Sequence, residues 1–345
     1  MPQSLDPMHS DIVSIVVTSI FGPNKSLLAL AEGAKKKGWQ FIVVGDVSSP
    51  KDFSMEHVTY YDIGQQHKLH FKLVPLCPER HYTRKNIGYL IAISNGSHVI
   101  VETDDDNIPN PEFWQPRHRS VHAREVQGSG WINVYKLFSA LNIWPRGYPL
   151  EEIHSDNRQF QHSAISQQVS GPIHQGLADE NPDVDAVFRM TQELPVAFEK
   201  NGYFHLGKGV WCPFNSQNTT WFKEAFPLLY LPSFCSFRMT DIWRSFVAQR
   251  IAWECDWGLL FHEATVCQER NEHRLIKDFE QELPGYLHNN KIKLLLDGLT
   301  LKKGVDQIGN NMLSCYEVLI KNHIISDTKE LLLLEAWLND LKSLQ

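Results

Sequence analysis

Apolar runs and amphipathic segments alternate in a regular order through the first 110 residues. Four short runs rich in β-branched or apolar residues are predicted as strands, at 12–18, 39–45, 58–62 and 98–103. The first helix is predicted from a cap at Asn24 to a stop at Gly38, and a second opens at Tyr82 or Thr83. This order predicts an α/β fold with a doubly wound, mostly parallel sheet.

The pattern changes in the middle of the chain. From about 115 to 235 the sequence is rich in Trp, Pro, Gly, His and Gln and predicts irregular loops with short strands. Helical periodicity returns in DIWRSFVAQRIAW and again after about 283, where Asp327 and Glu330 have the spacing of a capping box. Four leucines lie on one face of the last helix: Leu331, Leu334, Leu338 and Leu341. We interpret this stripe as core packing rather than a surface for a partner helix.

Composition excludes several classes of function. The chain has 345 residues and a formal net charge of −7, so no basic face for nucleic acid is expected. Six cysteines without metal-like spacing predict reduced thiols and a cytoplasmic protein. No signal-peptide core or apolar run of membrane-spanning length is found, which predicts a soluble protein or the soluble part of a longer one.

Three consecutive aspartates, Asp104, Asp105 and Asp106, follow the strand at 98–103 directly. Ligands bind beyond the carboxyl ends of parallel strands, and alternation along an extended chain points Asp104 and Asp106 the same way. Two carboxylates on one side are a hard oxygen site for Mn²⁺ or Mg²⁺, which would offset their repulsion and hold a pyrophosphate. The alternative is a solvated acidic turn. An EF-hand is excluded because Pro109 and Gln115 occupy its sixth and twelfth positions.

A nucleotide diphosphate bound through a metal needs further polar groups. The other strand ends supply Thr18, Ser19 and Asp46 as candidates for contacting base and ribose. The start of the second helix supplies cations and an amide beside the phosphates: Arg84, Lys85 and Asn86. A solvated first turn is the alternative for this cluster, although cations oppose the helix dipole there unless an anion is bound.

The segments VVTSI-FGPNK, WQFIVVGD, RKNIGYLIAI, ETDDDN, WPRGYPLEE, HQGLADENPDVDAVFRMT and DIWRSFVAQRIAWE together resemble the STELLO-type domain of glycosyltransferases. More distantly, DDD, PRGYP, PDVDA and DIW resemble the reversibly glycosylated polypeptides, which are UDP-sugar mutases and self-glycosylating proteins. The resemblance implies a GT-A-like nucleotide-diphospho-sugar fold over residues 10–282, followed by a C-terminal helical region at 283–345. It also implies a DxD metal motif and UDP-linked chemistry. The helical tail is interpreted as a departure from the plant members.

The resemblance also suggests site residues. Arg146 in WPRGYP matches the arginine that accepts the sugar in the mutase family, and its guanidinium suits bidentate contact with a phosphate or sugar hydroxyls. Three aspartates match acidic positions of both families and are candidates for the carboxylate at the sugar: Asp183, Asp185 and Asp241. Arg270 and His273 lie in a late loop expected near the phosphates and the metal, with a structural role as the alternative for the histidine.

Together these observations predict a metal-dependent glycosyltransferase that takes a sugar from a UDP-sugar donor to a glycan, protein or small-molecule acceptor. Mn²⁺ or Mg²⁺ is expected on Asp104 and Asp106, with His273 as a third ligand and Asp105 and Arg270 near the nucleotide. A UDP-sugar mutase or self-glycosylating protein shares every motif and stays an alternative. A non-catalytic scaffold that keeps the nucleotide-sugar fold is the alternative from a different class. A sugar-phosphate nucleotidyltransferase ranks below both, because FGPNKS lacks a glycine-rich loop.

Overall fold

The computed structural model describes residues 11–155, 157–269 and 274–344. Strands and helices alternate through its first part: β1 Val13–Thr18, α1 Lys25–Lys37, β2 Gln40–Val44, β3 Thr59–Tyr61, α2 Ile63–Gln66, α3 Lys85–Ser94 and β4 Val99–Thr103. The four strands pair in parallel in the order β3-β2-β1-β4. The predicted ends of α1 are confirmed, because Asn24 accepts the N–H of Leu27 and Gly38 adopts φ 67°.

Alternation along β1 shows why the sheet has helices on both faces. Ile15 and Val17 pack with Leu27 of α1 in one buried cluster, whereas Val16 packs with Leu90 of α3 in the other. A strand buried on both faces reads as a continuous apolar run, which is how β1 and β4 appear in the sequence.

The middle of the chain continues the same sheet. Its elements are β5 Asn107–Pro109, β6 Ser120–Gln127, β7 Gly130–Trp131, β8 Gln161–His162, β9 Gln167–Ser170, β10 Ile173–Asp179, α4 Ala186–Thr191, β11 Tyr203–Leu206, β12 Val210–Trp211 and β13 Asn218–Phe222. Strand β13 pairs antiparallel with β4 and β10, so this half of the sheet is mixed. The sequence predicted short strands among irregular loops in this region but did not locate β13, which lies in the sheet centre. Its polar side chains concealed it: Asn218 and Thr219 are buried and hydrogen-bonded.

The last part contains α5 Thr240–Ala252, β14 Leu259–Gln268, α6 Leu275–Asp297, α7 Ile308–Lys321 and α8 Lys329–Ser343. Buried carboxylates tie these helices to distant loops: Asp340 accepts the N–H groups of residues 72 and 73, and Glu330 accepts those of residues 233 and 234. The capping-box prediction was wrong, since Glu330 is used for this long-range contact. The leucine stripe packs as predicted, with Leu334 and Leu341 buried.

The predicted α/β fold with C-terminal helices is confirmed. The first four strands are all parallel, and the rest of the sheet mixes parallel pairs, such as β10 with β14 and β11 with β6, with antiparallel ones. Helix α6 spans the predicted boundary between residues 282 and 283, and the division into two domains stays a prediction. Within the described ranges, no helix is both long enough and apolar enough to cross a bilayer.

Candidate active site

A cavity of about 550 Å³ opens at the carboxyl ends of β1, β2 and β4. Ligand pockets in proteins span roughly 300–1,000 Å³, and in α/β sheets they form beyond these strand ends. The cavity brings together most of the predicted site residues: Thr18, Ser19, Asp46, Arg84, Asp104, Asp105, Asp106, Arg146, Asp183 and Asp241. Residues more than 200 positions apart in sequence therefore converge on one site.

The acidic triplet begins where β4 ends, and each carboxylate has a different neighbour. Lys85, which is fully buried, donates to the carbonyl of Thr103 at 2.8 Å and to Asp104 at 3.3 Å. The hydroxyl of Ser19 donates to Asp105. The side-chain amide of Gln268, at the end of β14, lies 3.1 Å from both carboxylate oxygens of Asp106. The triplet is thus held from β1, α3 and β14 at once.

The triplet concentrates negative charge in a confined space. Burial raises the pKa of Asp104 to about 7, and repulsion from Asp106, Asp241 and Asp105 adds to this effect despite the nearby Lys85. Burial likewise raises the pKa of Asp105 to about 6, with Asp106 adding to it and the hydrogen bond from Ser19 opposing it. Both shifts mean that the protein alone does not fully compensate these charges.

A second acidic group lies across the cavity and is built around Arg146. This guanidinium donates to both oxygens of Asp183, at 2.7 and 2.8 Å, and to both oxygens of Asp241, at 3.0 Å each. It also donates to the carbonyl of Arg238. All five N–H donors of the guanidinium therefore have protein acceptors. Its donors hold two carboxylates, and a contact of Arg146 with phosphate or sugar stays a prediction.

Asp241 stays charged for reasons that the local structure makes clear. It lies in the first turn of α5, where the helix dipole favours an anion, and it also accepts the backbone N–H of Ser216 at 3.2 Å. Burial alone would raise the pKa of Asp241, but the charge and hydrogen bonds of Arg146 lower it below its ordinary value. The two acidic groups of one cavity thus have opposite pKa shifts.

The strand-end residues on the other side of the cavity hold its wall together. The carboxylate of Asp46 accepts three backbone N–H groups, those of Val47, Arg80 and His81, at 2.6 to 2.9 Å. Arg84 is buried and donates to the side chain of Gln66 at 2.7 Å. Both residues face the cavity, but most of their polar groups already have partners in the protein.

Three predicted site residues lie outside the cavity lining. Lys85 is buried beneath Asp104. Asn86 exchanges two hydrogen bonds of 2.9 Å with the backbone of Leu231, and its contact with the nucleotide stays a prediction. Asp185 caps α4 by accepting the N–H of Phe188 at 2.7 Å and also accepts from Trp144, and its catalytic role stays a prediction. Arg270 and His273 lie outside the described residues.

Other lining residues were not foreseen from the sequence. Gln268 was missed because β14 was not predicted, although a residue at the end of that strand would have been a candidate. His81 and Tyr82 line the cavity beside Phe237, whose ring lies 6.1 and 5.9 Å from theirs. These contacts join two loops that are distant in sequence, so no local pattern indicates them.

The donor set of the triplet suits a hard divalent cation. Asp104 and Asp106 line the same cavity and supply carboxylate oxygens, the ligands that Mg²⁺ and Mn²⁺ prefer. Across the ranges that the structure describes, no cluster of three or more His, Cys, Asp or Glu side chains has metal-ligand geometry. Mg²⁺ is ordinarily bound by one or two carboxylates together with water and substrate phosphates, so two carboxylates fit that mode.

The chain is an α/β protein with a cavity at its strand ends, and its sequence is similar to glycosyltransferases. The family model described as STELLO glycosyltransferases matches residues 238–345. The Arabidopsis thaliana protein named "Probable glycosyltransferase STELLO1" is 30% identical over 261 residues, covering 70% of this chain and 33% of that protein. "Probable glycosyltransferase STELLO2" is 28% identical over 273 residues, covering 73% of this chain and 35% of that protein. The resemblance to STELLO-type glycosyltransferases is thereby confirmed.

The family match also corrects the interpretation of the tail. Because it extends to residue 345, the C-terminal helices are a shared feature and not a departure from the plant members. The chain spans about a third of the length of these curated relatives. Among solved structures, M. tuberculosis glucosyl-3-phosphoglycerate synthase matches with a TM-score of 0.40 and 11% identity, over 81% of this chain and 80% of that one. A mycobacterial protein matches with a TM-score of 0.39 and 12% identity, over 81% of this chain and 74% of that one.

Proposed function

We propose that the cavity binds a nucleoside-diphosphate sugar, with UDP as the nucleotide, and transfers the sugar to an acceptor in a reaction that depends on Mn²⁺ or Mg²⁺. The observation that supports this most is the raised pKa of Asp104 and of Asp105 in a cavity of about 550 Å³, opposite polar strand ends. UDP as the nucleotide is supported by the family resemblance.

In this proposal Asp104 and Asp106 hold the cation, which when bound supplies Lewis-acid neutralisation of the leaving diphosphate. Lys85 keeps Asp104 in place through its contacts with the strand end. Gln268 orients Asp106, and Ser19 orients Asp105. Thr18 and Asp46 line the end of the cavity where β1 and β2 finish, and this end takes the nucleoside. Good alignment of donor and acceptor contributes about 7 to 11 kcal/mol to such reactions.

Asp241 and Asp183 are the acidic groups proposed to face the sugar. A general base works best when its pKa lies near the working pH, and the lowered pKa of Asp241 does not meet that condition. Asp241 is therefore assigned an electrostatic role, in which a fixed negative charge stabilises the oxocarbenium-like centre. Arg146 is a positioning residue that fixes both carboxylates.

The contacts of Arg146 disfavour the alternative of a UDP-sugar mutase or self-glycosylating protein. A sugar-accepting arginine needs a nitrogen that can reach the anomeric carbon, whereas all five donors of Arg146 are engaged with protein acceptors. A non-catalytic scaffold is disfavoured by the raised pKa values of Asp104 and Asp105, because clustered charges that serve no ligand only destabilise the fold.

Several finer assignments stay predictions. These are the contact of Arg270 with the phosphates and the role of His273 as a third metal ligand, since both residues lie outside the described ranges. A division into residues 10–282 and 283–345 is proposed on the resemblance. The six cysteines are all unpaired, which supports the proposed location in a reducing compartment such as the cytoplasm.

Calorimetric titration of UDP tests the proposal. Binding is expected in 1 mM Mn²⁺ and is expected to weaken at least tenfold in EDTA or in Asp106→Ala. The control is Asp306→Ala, which removes an exposed carboxylate outside the cavity and is expected to bind as the parent does. Unchanged affinity in EDTA and in Asp106→Ala would overturn the metal-dependent assignment. Release of UDP from UDP-sugars then separates a transferase from a scaffold.

A further inference from the structure

One face of α6 is apolar although it is exposed. Ile276, Leu283, Leu287 and Leu294 are 71%, 42%, 65% and 69% exposed. Their spacing of seven, four and seven residues places them in one straight stripe at 100° per residue, about 27 Å long. A surface helix ordinarily presents charged or polar residues on this face.

The opposite face of α6 already packs on the protein. Its buried positions are Asp278, Glu282, Gly285, Asn289, Ile292 and Leu296, which centre about 180° from the stripe. The stripe is therefore not an edge of the core that a slight rotation of the helix would cover. Exposing four large apolar side chains in one line is costly in water, and such patches mark interaction sites.

The stripe is symmetric about residue 285. Under a two-fold axis at that point, a second α6 runs antiparallel to the first, so that Ile276 lies beside Leu294 of the second copy. Leu283 then lies beside Leu287 of the second copy. An isologous interface requires such self-complementary spacing. A parallel arrangement would instead place each of these positions beside itself.

The charges beside the stripe are complementary in the same antiparallel arrangement. Glu280 and Lys291 are both exposed and lie on the same flank, about 40° and 60° from the stripe. They stand five residues before and six residues after the symmetry point. Glu280 of one copy therefore faces Lys291 of the other, twice in each dimer. Opposite charges across an interface favour the matching partner and disfavour others.

We propose that this chain forms an antiparallel homodimer through the α6 stripe, with the partner being a second copy of the same chain. The contact is confined to one helix pair, and small interfaces of this kind associate weakly. A dissociation constant on the order of 10 µM is expected. The interface lies apart from the proposed donor cavity, since none of the stripe residues lines it.

Sedimentation equilibrium of the full chain from about 1 to 200 µM tests the proposal. The mass is expected to rise from 39.7 kDa toward twice that value. Leu287→Glu is expected to stay monomeric, with unchanged circular dichroism and thermal midpoint. Glu280→Lys and Lys291→Glu are each expected to weaken association at least fivefold, and the double reversal is expected to restore it. A monomer at every concentration, or a dimer that Leu287→Glu leaves intact, would overturn the proposal.

Crosslinking tests the direction of pairing. Ile276→Cys and Leu294→Cys are each made separately and oxidised alone or as a mixture, with the parent chain controlling for its own cysteines. The antiparallel dimer predicts a crosslinked heterodimer only in the mixture, because identical positions lie about 27 Å apart in the pair. Crosslinking of either variant alone would contradict this geometry.

Discussion

The cavity contains two acidic groups whose charges are compensated in different ways. Asp183 and Asp241 share the guanidinium of Arg146, and the pKa of Asp241 is lowered. The triplet at the end of β4 has Lys85 beside Asp104, yet the pKa of Asp104 is raised to about 7. The protein therefore stabilises the charge of Asp241, whereas burial makes the charges of Asp104 and Asp105 unfavourable.

This difference suggests that the two acidic groups have different roles. A carboxylate whose negative charge the fold already stabilises is suited to a fixed electrostatic role, because it does not reorganise during a reaction. A cluster that is costly without a cation is suited to binding one, because the cation relieves repulsion and gains affinity from it. The predictions below test each group separately.

Removing the guanidinium of Arg146, which Asp183 and Asp241 share, is expected to have the largest effect on stability. Arg146→Met leaves two buried carboxylates unpaired, which costs about 3–5 kcal/mol in comparable sites. Urea denaturation measures the loss. Arg119→Ala is the control, because its ion pair with Glu224 is only partly buried and such pairs contribute about 0–1 kcal/mol. Equal losses in the free energy of unfolding would mean that Arg146 stabilises Asp183 and Asp241 no more than a partly buried ion pair does.

The proposed electrostatic role of Asp241 predicts a loss of turnover without a loss of nucleotide binding. Asp241→Asn keeps the size of the side chain and removes its charge, and turnover is expected to fall about 10²- to 10³-fold. UDP affinity measured by calorimetry is expected to stay within threefold of the parent. If affinity falls as much as turnover, Asp241 belongs with the nucleotide-binding residues instead.

Neutralising the triplet is expected to stabilise the protein when no metal is present. Asp104 binds a proton more tightly in the folded state, with a pKa of about 7, than at its ordinary pKa of 3.8. The folded state therefore loses stability as pH rises from about 4 to 7, and Asn at this position escapes that loss. Asp104→Asn is expected to raise the thermal midpoint in EDTA by a few degrees at pH 8 and by less at pH 5. A lowered thermal midpoint of Asp104→Asn at pH 8 would show that the protein already compensates the charge of Asp104.

The smallest expected effect comes from the hydroxyl that orients the triplet. Ser19→Ala removes one hydrogen bond to Asp105, a contact worth about 0.5–1.5 kcal/mol. UDP affinity in Mn²⁺ is expected to fall about two- to tenfold. Ser48→Ala, which changes another hydroxyl lining the same cavity, is the matched control and is expected to bind as the parent does.

The sequence predicted the elements whose patterns are local. Strands β1, β2 and β4 are continuous apolar runs, and α1 has its cap at Asn24 and its stop at Gly38. Strand β13 was missed because a buried strand can be polar when partners elsewhere satisfy it, as Gln175 does for Thr219. Hydrogen bonds to partners that are distant in sequence leave no periodic pattern along the chain.

The sequence predicted which residues meet at the site better than it predicted what each residue does there. Strand ends and the triplet converge as expected, because parallel strands finish at one edge of the sheet. The role of Arg146 was not predictable, since it depends on Asp183 and Asp241 meeting the same guanidinium from two other segments. Asp183 lines the cavity, whereas Asp185, two positions further along the chain, caps α4, and the sequence pattern does not distinguish the two positions.

Electron paramagnetic resonance of Mn²⁺ tests the central claim most directly, because the signal of the free ion disappears when the ion is bound. With UDP present, the parent chain is expected to bind one Mn²⁺, and Asp104→Asn combined with Asp106→Asn is expected to bind none. Binding of UDP without any uptake of Mn²⁺ by the parent, or uptake that persists in the double variant, would contradict a cation held between the triplet and the nucleotide.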